Sequence, residues 1–317
     1  MSLIQQLYPI KSIFIIASPR SGTTWISKGL NVHPQIYCTE RRLFGNYADF
    51  VLDEGADKPR LRCTLDKFVE ASLLPQNFDK KESVLRSYIK ALIKEEVKFS
   101  KRHVLVDKIT PYVHSSNAVL KGIKTFFPKS KLVFLLRDGR DVCTSGVFHW
   151  FNKQLNTTTL SEFQKTRRAI FLKTTEKKIN RFFTDEEIEE WACTWAEPLR
   201  LIDEVEQLFP VLIIRFEDML QDQFTVFQTL YDFMGVKSDN KTITACVESS
   251  SFEKMAGRKR GEEIANAHVR KGISGDWLNY FTKKDGALFH QFAGDMLLKY
   301  NFVTSNDWYQ SLPEKLV

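Results

Sequence analysis

An unbroken apolar run, Ile13-Phe14-Ile15-Ile16-Ala17, breaks at Ser18-Pro19-Arg20-Ser21-Gly22-Thr23-Thr24 and gives way at once to a helix-compatible run from Trp25 to Asn31. A strand with no polar alternation is one buried on both faces, which points to a parallel sheet covered by helices. The turn after it suits an anion. Gly22 permits close backbone approach, and Ser21, Thr23 and Thr24 bring hydroxyl donors. The helix start presents unpaired N–H groups at its positive dipole end. Arg20 adds a permanent cation on a planar fork. The same stretch also fits an ordinary strand–turn–helix corner. A GxxxxGK[ST] pattern is absent, because Arg precedes the glycine and Thr-Trp follows it.

The rest of the chain repeats the alternation. Ile36 to Arg42 reads as a second strand after the His33-Pro34 break. Ser83 to Phe99 has helical spacing, His103 to Val106 forms a strand ending in Asp107-Lys108, and Lys131 to Leu136 is a further buried strand. Thr184-Asp185-Glu186-Glu187 is a capping box that opens a long helix with Ile188, Trp191, Ala192, Trp195, Leu199 and Ile202 on its apolar stripe. Val211 to Arg215 is another strand, followed by a helix closed by Gly235. The expected fold is therefore α/β: a central parallel sheet with helices on both faces, in one domain over residues 1–317. No linker or repeat divides it. Two stretches, about 43–80 and 146–183, lack sheet signals and are expected to form acceptor-side walls or lids. In them Phe148, Trp150, Phe151, Phe163 and Phe171 suit an aromatic pocket, while Lys165, Arg167, Arg168, Lys173, Lys177 and Lys178 suit an acidic ligand or a solvated helix face.

Charge and cysteine usage narrow the class. With 46 basic against 39 acidic residues the net charge is +7, which fits a polyanionic ligand and equally a nucleic acid or an anionic membrane. No nucleic-acid-binding signature is present. Met1 to Pro9 lacks the regions of a signal peptide, and no apolar run approaches the ~18 residues of a membrane span. Cys38, Cys63, Cys143, Cys193 and Cys246 are odd in number and without CxxC spacing. A cytoplasmic protein without structural zinc is expected.

Two more segments suit anions. Arg137-Asp138-Gly139-Arg140-Asp141-Val142-Cys143-Thr144-Ser145 leads from strand to helix, with Arg137 at the strand end and Ser145 within reach of the same ligand. Arg140 either joins them or pairs locally with Asp138 or Asp141. Near the C-terminus, Arg258-Lys259-Arg260 precedes Arg270-Lys271-Gly272-Ile273-Ser274-Gly275-Asp276-Trp277, two glycines three apart beside two cations.

Together these segments resemble the sulfotransferases that use 3′-phosphoadenylyl sulfate (PAPS) as donor and release adenosine 3′,5′-bisphosphate (PAP). Ser18 to Trp25 resembles their 5′-phosphosulfate loop, and Arg137 to Ser145 their 3′-phosphate motif. Arg270 to Trp277 is similar to the RKGxxGDW loop of the cytosolic branch, Phe216-Glu217-Asp218-Met219 to its YEDM stretch, and Ser250-Ser251-Phe252 to its Thr-Ser-Phe stretch. The resemblance implies a P-loop-like fold and sulfuryl transfer to a hydroxyl acceptor, small molecule or polymer. It implies that Arg20, Ser21, Gly22, Thr23 and Thr24 hold the 5′ end, and that Arg137, Ser145, Arg270, Lys271 and Gly272 hold the 3′-phosphate. It places Trp25 and Phe252 on either side of the adenine, with Ser250 at its edge. No metal is implied.

Two departures limit the match. The cytosolic enzymes usually carry Lys at the place of Arg20, and their catalytic His has no counterpart in Asp107-Lys108-Ile109-Thr110-Pro111. Other branches use a Glu after a His-Pro pair, which His33-Pro34 followed by Glu40 resembles. Glu40 is thus expected as general base, with Arg20 and Lys108 as charge-stabilising cations and His114 and His149 as alternative bases. The KxxxTVxxxE dimer stretch is not evident after Trp277, so no oligomeric state is implied. Two other functional classes remain open: a P-loop-like nucleotide kinase or NTPase, which requires a Walker lysine and a Mg²⁺-holding carboxylate, and a basic module that binds nucleic acid or sulfated polysaccharide.

Overall fold

The computed structural model of the chain describes residues 11–40, 68–112, 114–154, 157–265, 267 and 270–316. The strand tip Arg41-Arg42 and most of the expected first wall, 43–67, lie outside these residues. In chain order the elements are β1 (Lys11–Ile16), α1 (Thr23–Val32), β2 (Ile36–Glu40), α2 (Lys81–Ser100), β3 (Val104–Ile109), α3 (Ser116–Phe126) and β4 (Lys131–Leu136). Then come α4 (Gly139–Lys153), α5 (Glu162–Phe171), α6 (Asp185–Arg200), α7 (Ile202–Glu206), β5 (Val211–Arg215), α8 (Phe216–Gln221) and α9 (Gln223–Met234). The last helices are α10 (Asn240–Ser249), α11 (Phe252–Ala256) and α12 (Lys283–Lys299). No helix among the described residues is long and apolar enough to cross a membrane.

The chain packs as two compact units. The first takes in the described residues of Met1–Ala17, Gly22–Leu135 and Leu201–Ser250, and the second Ser18–Ser21, Leu136–Arg200 and those of Ser251–Val317. The first unit carries the sheet, in the order β2-β3-β1-β4-β5, with all strands parallel. The strand that opened the sequence reading is its centre. Ile13, Phe14, Ile15 and Ile16 are all buried, as a strand covered on both faces requires. Because β1 pairs with β3 on one side and β4 on the other, the chain reverses its winding there. The loop leaving β1 therefore emerges at the switch point where doubly wound sheets bind ligands.

β3 runs further than its apolar residues alone suggest. It continues through Asp107, Lys108 and Ile109, all buried. Asp107 accepts from Thr39 Oγ1 at 2.7 Å, and Lys108 donates to Glu40 at 2.5 Å, so strand residues of β2 satisfy both charges.

The second unit is helical. α4 runs through Ser145 and on to Lys153, so the expected second wall, 146–183, begins as its continuation. The capping box of α6 is present: Glu187 N–H donates to Thr184 Oγ1 and Thr184 N–H to Glu187 Oε2. The aromatic residues of 146–183 mostly pack inward. Phe148 stacks on Phe171 at 4.7 Å and meets Phe182 and Tyr280 edge-on, and Phe151 is buried beside them. Only Trp150 and Phe163 of the five remain exposed. What looked in sequence like a pocket lining is a core, which Arg167 enters as a buried cation held by Glu187 at 2.6 Å.

Phe14, fully buried at the sheet centre and edge-on to Phe127 at 5.1 Å, tests this arrangement. Phe14→Ala is expected to cost about 3–5 kcal/mol, read as a lower urea midpoint.

Candidate active site

The loop after β1 owes its shape to two residues in left-handed conformation. Arg20 has φ 71° and Gly22 has φ 92°, the latter as N-cap of α1. In the first unit a Cβ on Gly22 would lie 2.7 Å from Cδ2 of Phe216, and the Phe216 ring also meets Trp25 edge-on at 5.6 Å. Phe216, first residue of the Phe-Glu-Asp-Met stretch, is thus the floor under the helix start. Thr23 is buried at the first turn of α1, Thr24 is half-buried, and Trp25 is buried. Ser21 turns inward, its Oγ 2.9 Å from Ser18 Oγ.

At the tips of β2 and β3 the register sets Glu40 directly opposite Lys108. Lys108 is 2% exposed and Glu40 52%. A buried ammonium needs a nearby anion, and the bond leaves half of the Glu40 side chain in contact with solvent. Ser250 is internal to this unit: its Oγ accepts from Gln223 Nε2 at 2.6 Å and donates to the Cys246 carbonyl at 2.7 Å. His114 lies in an exposed turn at φ 68°.

The second unit gathers the other predicted groups. Arg20 Nε donates to Ser145 Oγ at 3.2 Å. Arg137 donates to the carbonyl of Arg20 at 2.9 Å and to that of Ile273 at 3.1 Å. One guanidinium therefore ties the first and third anion-suited loops together, from its own place in the second. Arg140 takes the local role: it is bidentate to Asp138 at 2.9 and 2.6 Å and stacks between Trp277 and Trp308. His149 is half-buried a turn beyond Ser145.

The third loop is held by its own carboxylates. Arg270 pairs with Glu263 and Asp276, and Lys271 Nζ lies 2.6 Å from Asp276 Oδ1. Burial pushes the carboxyls of Glu263 and Asp276 up, but their cationic neighbours outweigh it and hold both below the ordinary range. Phe252 is buried against the Gly272 backbone, where a Cβ would come within 2.3 Å of the ring, and Arg258 lies over the same ring. Asp141 accepts from the backbone of Gly275 and Trp277. Sequence reasoning offered Asp141 only as a possible partner of Arg140, named Phe216 only within the Phe-Glu-Asp-Met stretch, and gave no role to Glu263.

The first unit is thus an open parallel sheet with a Gly-Thr-Thr helix start beyond its central strand, and in the second unit Arg137 ties the Arg20 and Ile273 backbones to its own loop. A family model for the sulfotransferase domain matches residues 11–300, and the chain belongs to the sulfotransferase family. Sulfotransferase 2A1 of Homo sapiens is 26% identical over 176 residues, 50% of this chain and 54% of that protein, so the chain spans about half the length of that relative. Sulfotransferase 2A6 of Mus musculus is 26% identical over 208 residues, 62% of this chain and 67% of the relative. The crystal structure of mouse sulfotransferase SULT7A1, complexed with PAP, has the same fold: TM-score 0.53 at 16% identity, covering 96% of this chain and 90% of that one.

Gly22→Ala places a side chain at φ 92° and against Phe216. It is expected to cost about 1–2 kcal/mol from the backbone alone, read as a lower midpoint of thermal denaturation.

Proposed function

We propose that the chain moves a sulfuryl group from PAPS to a hydroxyl acceptor by in-line displacement, releasing PAP. The observation that carries this reading is Arg137, whose guanidinium binds the Arg20 and Ile273 carbonyls and so joins loops suited to the two phosphorylated ends of one nucleotide. The 5′ end is assigned to Arg20, Gly22, Thr23, Thr24 and the N–H groups that open α1. The 3′-phosphate is assigned to Arg137, Ser145, Arg270, Lys271 and Gly272. Trp25, Phe252 and Ser250 are assigned to the adenine.

Transfer requires alignment, charge stabilisation and removal of one proton. Arg20 and Lys108 are assigned to stabilise charge on the transferring group and the departing phosphate, in the role a metal would otherwise fill. Glu40 is the base. Its bond to Lys108 fixes the carboxylate while half the side chain stays accessible, and in taking the acceptor's proton it makes the oxygen a nucleophile. The acceptor is a small-molecule or polymer hydroxyl. Scattered cysteines and the absence of a CxxC pairing support a cytoplasmic setting.

A thermal-shift comparison tests the donor. Adenosine 3′,5′-bisphosphate should raise the melting temperature and ATP with Mg²⁺ should not; the reverse pattern would indicate a kinase, and no shift with either would leave a basic binding module. Glu40→Gln tests the base. The amide keeps an oxygen for Lys108, so bisphosphate affinity should hold while transfer to a panel of phenols, alcohols, sugars and acidic peptides falls by about 10²–10⁴-fold. Unchanged transfer would rule out Glu40.

A further inference from the structure

Asp141 has no part in the chemistry described so far, yet it accepts three hydrogen bonds from the loop at 274–277. It sits in the first turn of α4 and is 1% exposed. Its Oδ2 accepts from the Gly275 N–H at 2.7 Å and from Ser274 Oγ at 3.3 Å, and its Oδ1 accepts from the Trp277 N–H at 3.1 Å. Arg137 NH2 stands 4.0 Å from Oδ2. Arg137 in turn holds the Ile273 carbonyl. Two residues one helical turn apart thus grip both the donors and an acceptor of one short backbone stretch.

That stretch needs a grip. Gly272 has φ 66° and Gly275 has φ 85°, so it is bounded by two residues whose own conformational preference fixes little. Between the two amides held by Asp141 lies Asp276, which together with Glu263 holds both Arg270 and Lys271. The connection runs without a gap: Asp141 sets the backbone at 275 and 277, that backbone aims Asp276, and Asp276 aims the two cations.

We propose that Asp141 is the positioning residue for the 3′-phosphate end of the donor site, selecting nucleotides that carry that phosphate without touching them. This rests on the sulfotransferase reading above. A residue that only stabilised the fold would affect all nucleotides alike. A residue that aims Arg270 and Lys271 should affect only those with a 3′-phosphate.

The test is Asp141→Asn in the full chain, titrated with adenosine 3′,5′-bisphosphate and with adenosine 5′-monophosphate. The variant keeps one acceptor oxygen but loses the charge and turns an NH₂ group toward an N–H donor. Loss of charge-assisted bonds of this kind should weaken the bisphosphate by about tenfold or more. The monophosphate should stay within about twofold, since its site lacks the affected cations. An unchanged ratio of the two affinities, or an equal fall in both, overturns the proposal. A wild-type chain with no preference for the bisphosphate overturns the sulfotransferase reading itself, and this proposal with it; that outcome is recognised before any variant is made. Should Asp141→Asn fail to fold, Ser274→Ala removes one of the three donors and should lower the same ratio about two- to threefold, with an unchanged ratio again contradicting the proposal.

Discussion

A single guanidinium holds the second unit's loops in place. Arg137 donates to backbone carbonyls 117 and 136 residues away along the chain, and no other side chain described here reaches both. Hydrogen bonds from a charged donor to a carbonyl are stronger than neutral ones, and the planar fork fixes direction as well as distance. Lysine at this position has one point of attachment where arginine has several. The Arg137–Asp141 pair extends the hold, since the acid takes the amides of the stretch whose carbonyl the base takes. The same segment also sets Arg140, paired with Asp138, against the Trp277 ring.

The first unit meets a different constraint, a lysine inside a parallel sheet. Lys108 is tolerated because strand register puts Glu40 opposite it. Removing Glu40 would leave the buried Lys108 ammonium without its carboxylate, a cost that solvent around the half-exposed Glu40 position reduces. The pair is therefore fixed by the fold before any substrate arrives. On the proposed assignment of Glu40 as base and Lys108 as a charge-stabilising cation, neither group needs reorganisation. The Phe216 ring plays the corresponding part beneath Gly22 and Trp25, where the close approach excludes a side chain on Gly22.

Much of this was legible from sequence, for identifiable reasons. β1 announced itself because a strand buried on both faces has no polar residue to disguise it. The three loops stood out because glycine, hydroxyl and arginine recur together in each of them, and Arg137 bonds the backbone of the other two. Glu40 and Lys108 were each visible at a strand tip, but their bond depends on register, a property of the assembled sheet. The carbonyl of Ile273 carries no side-chain signal at all, and neither does the aim of Asp141. Phe148, Phe151 and Phe171 misled in the other direction: an aromatic-rich stretch reads the same whether its rings line a cavity or fill a core, and here they fill a core.

The central claim is that three loops far apart in sequence form one site for a nucleotide phosphorylated at both ends. Hydrogen–deuterium exchange with and without adenosine 3′,5′-bisphosphate tests it most directly. The account predicts slower exchange together, at one ligand concentration, in peptides covering Ser18–Trp25, Arg137–Gly146 and Arg270–Trp277. Protection confined to one of these segments, with the other two unchanged at saturation, would contradict it.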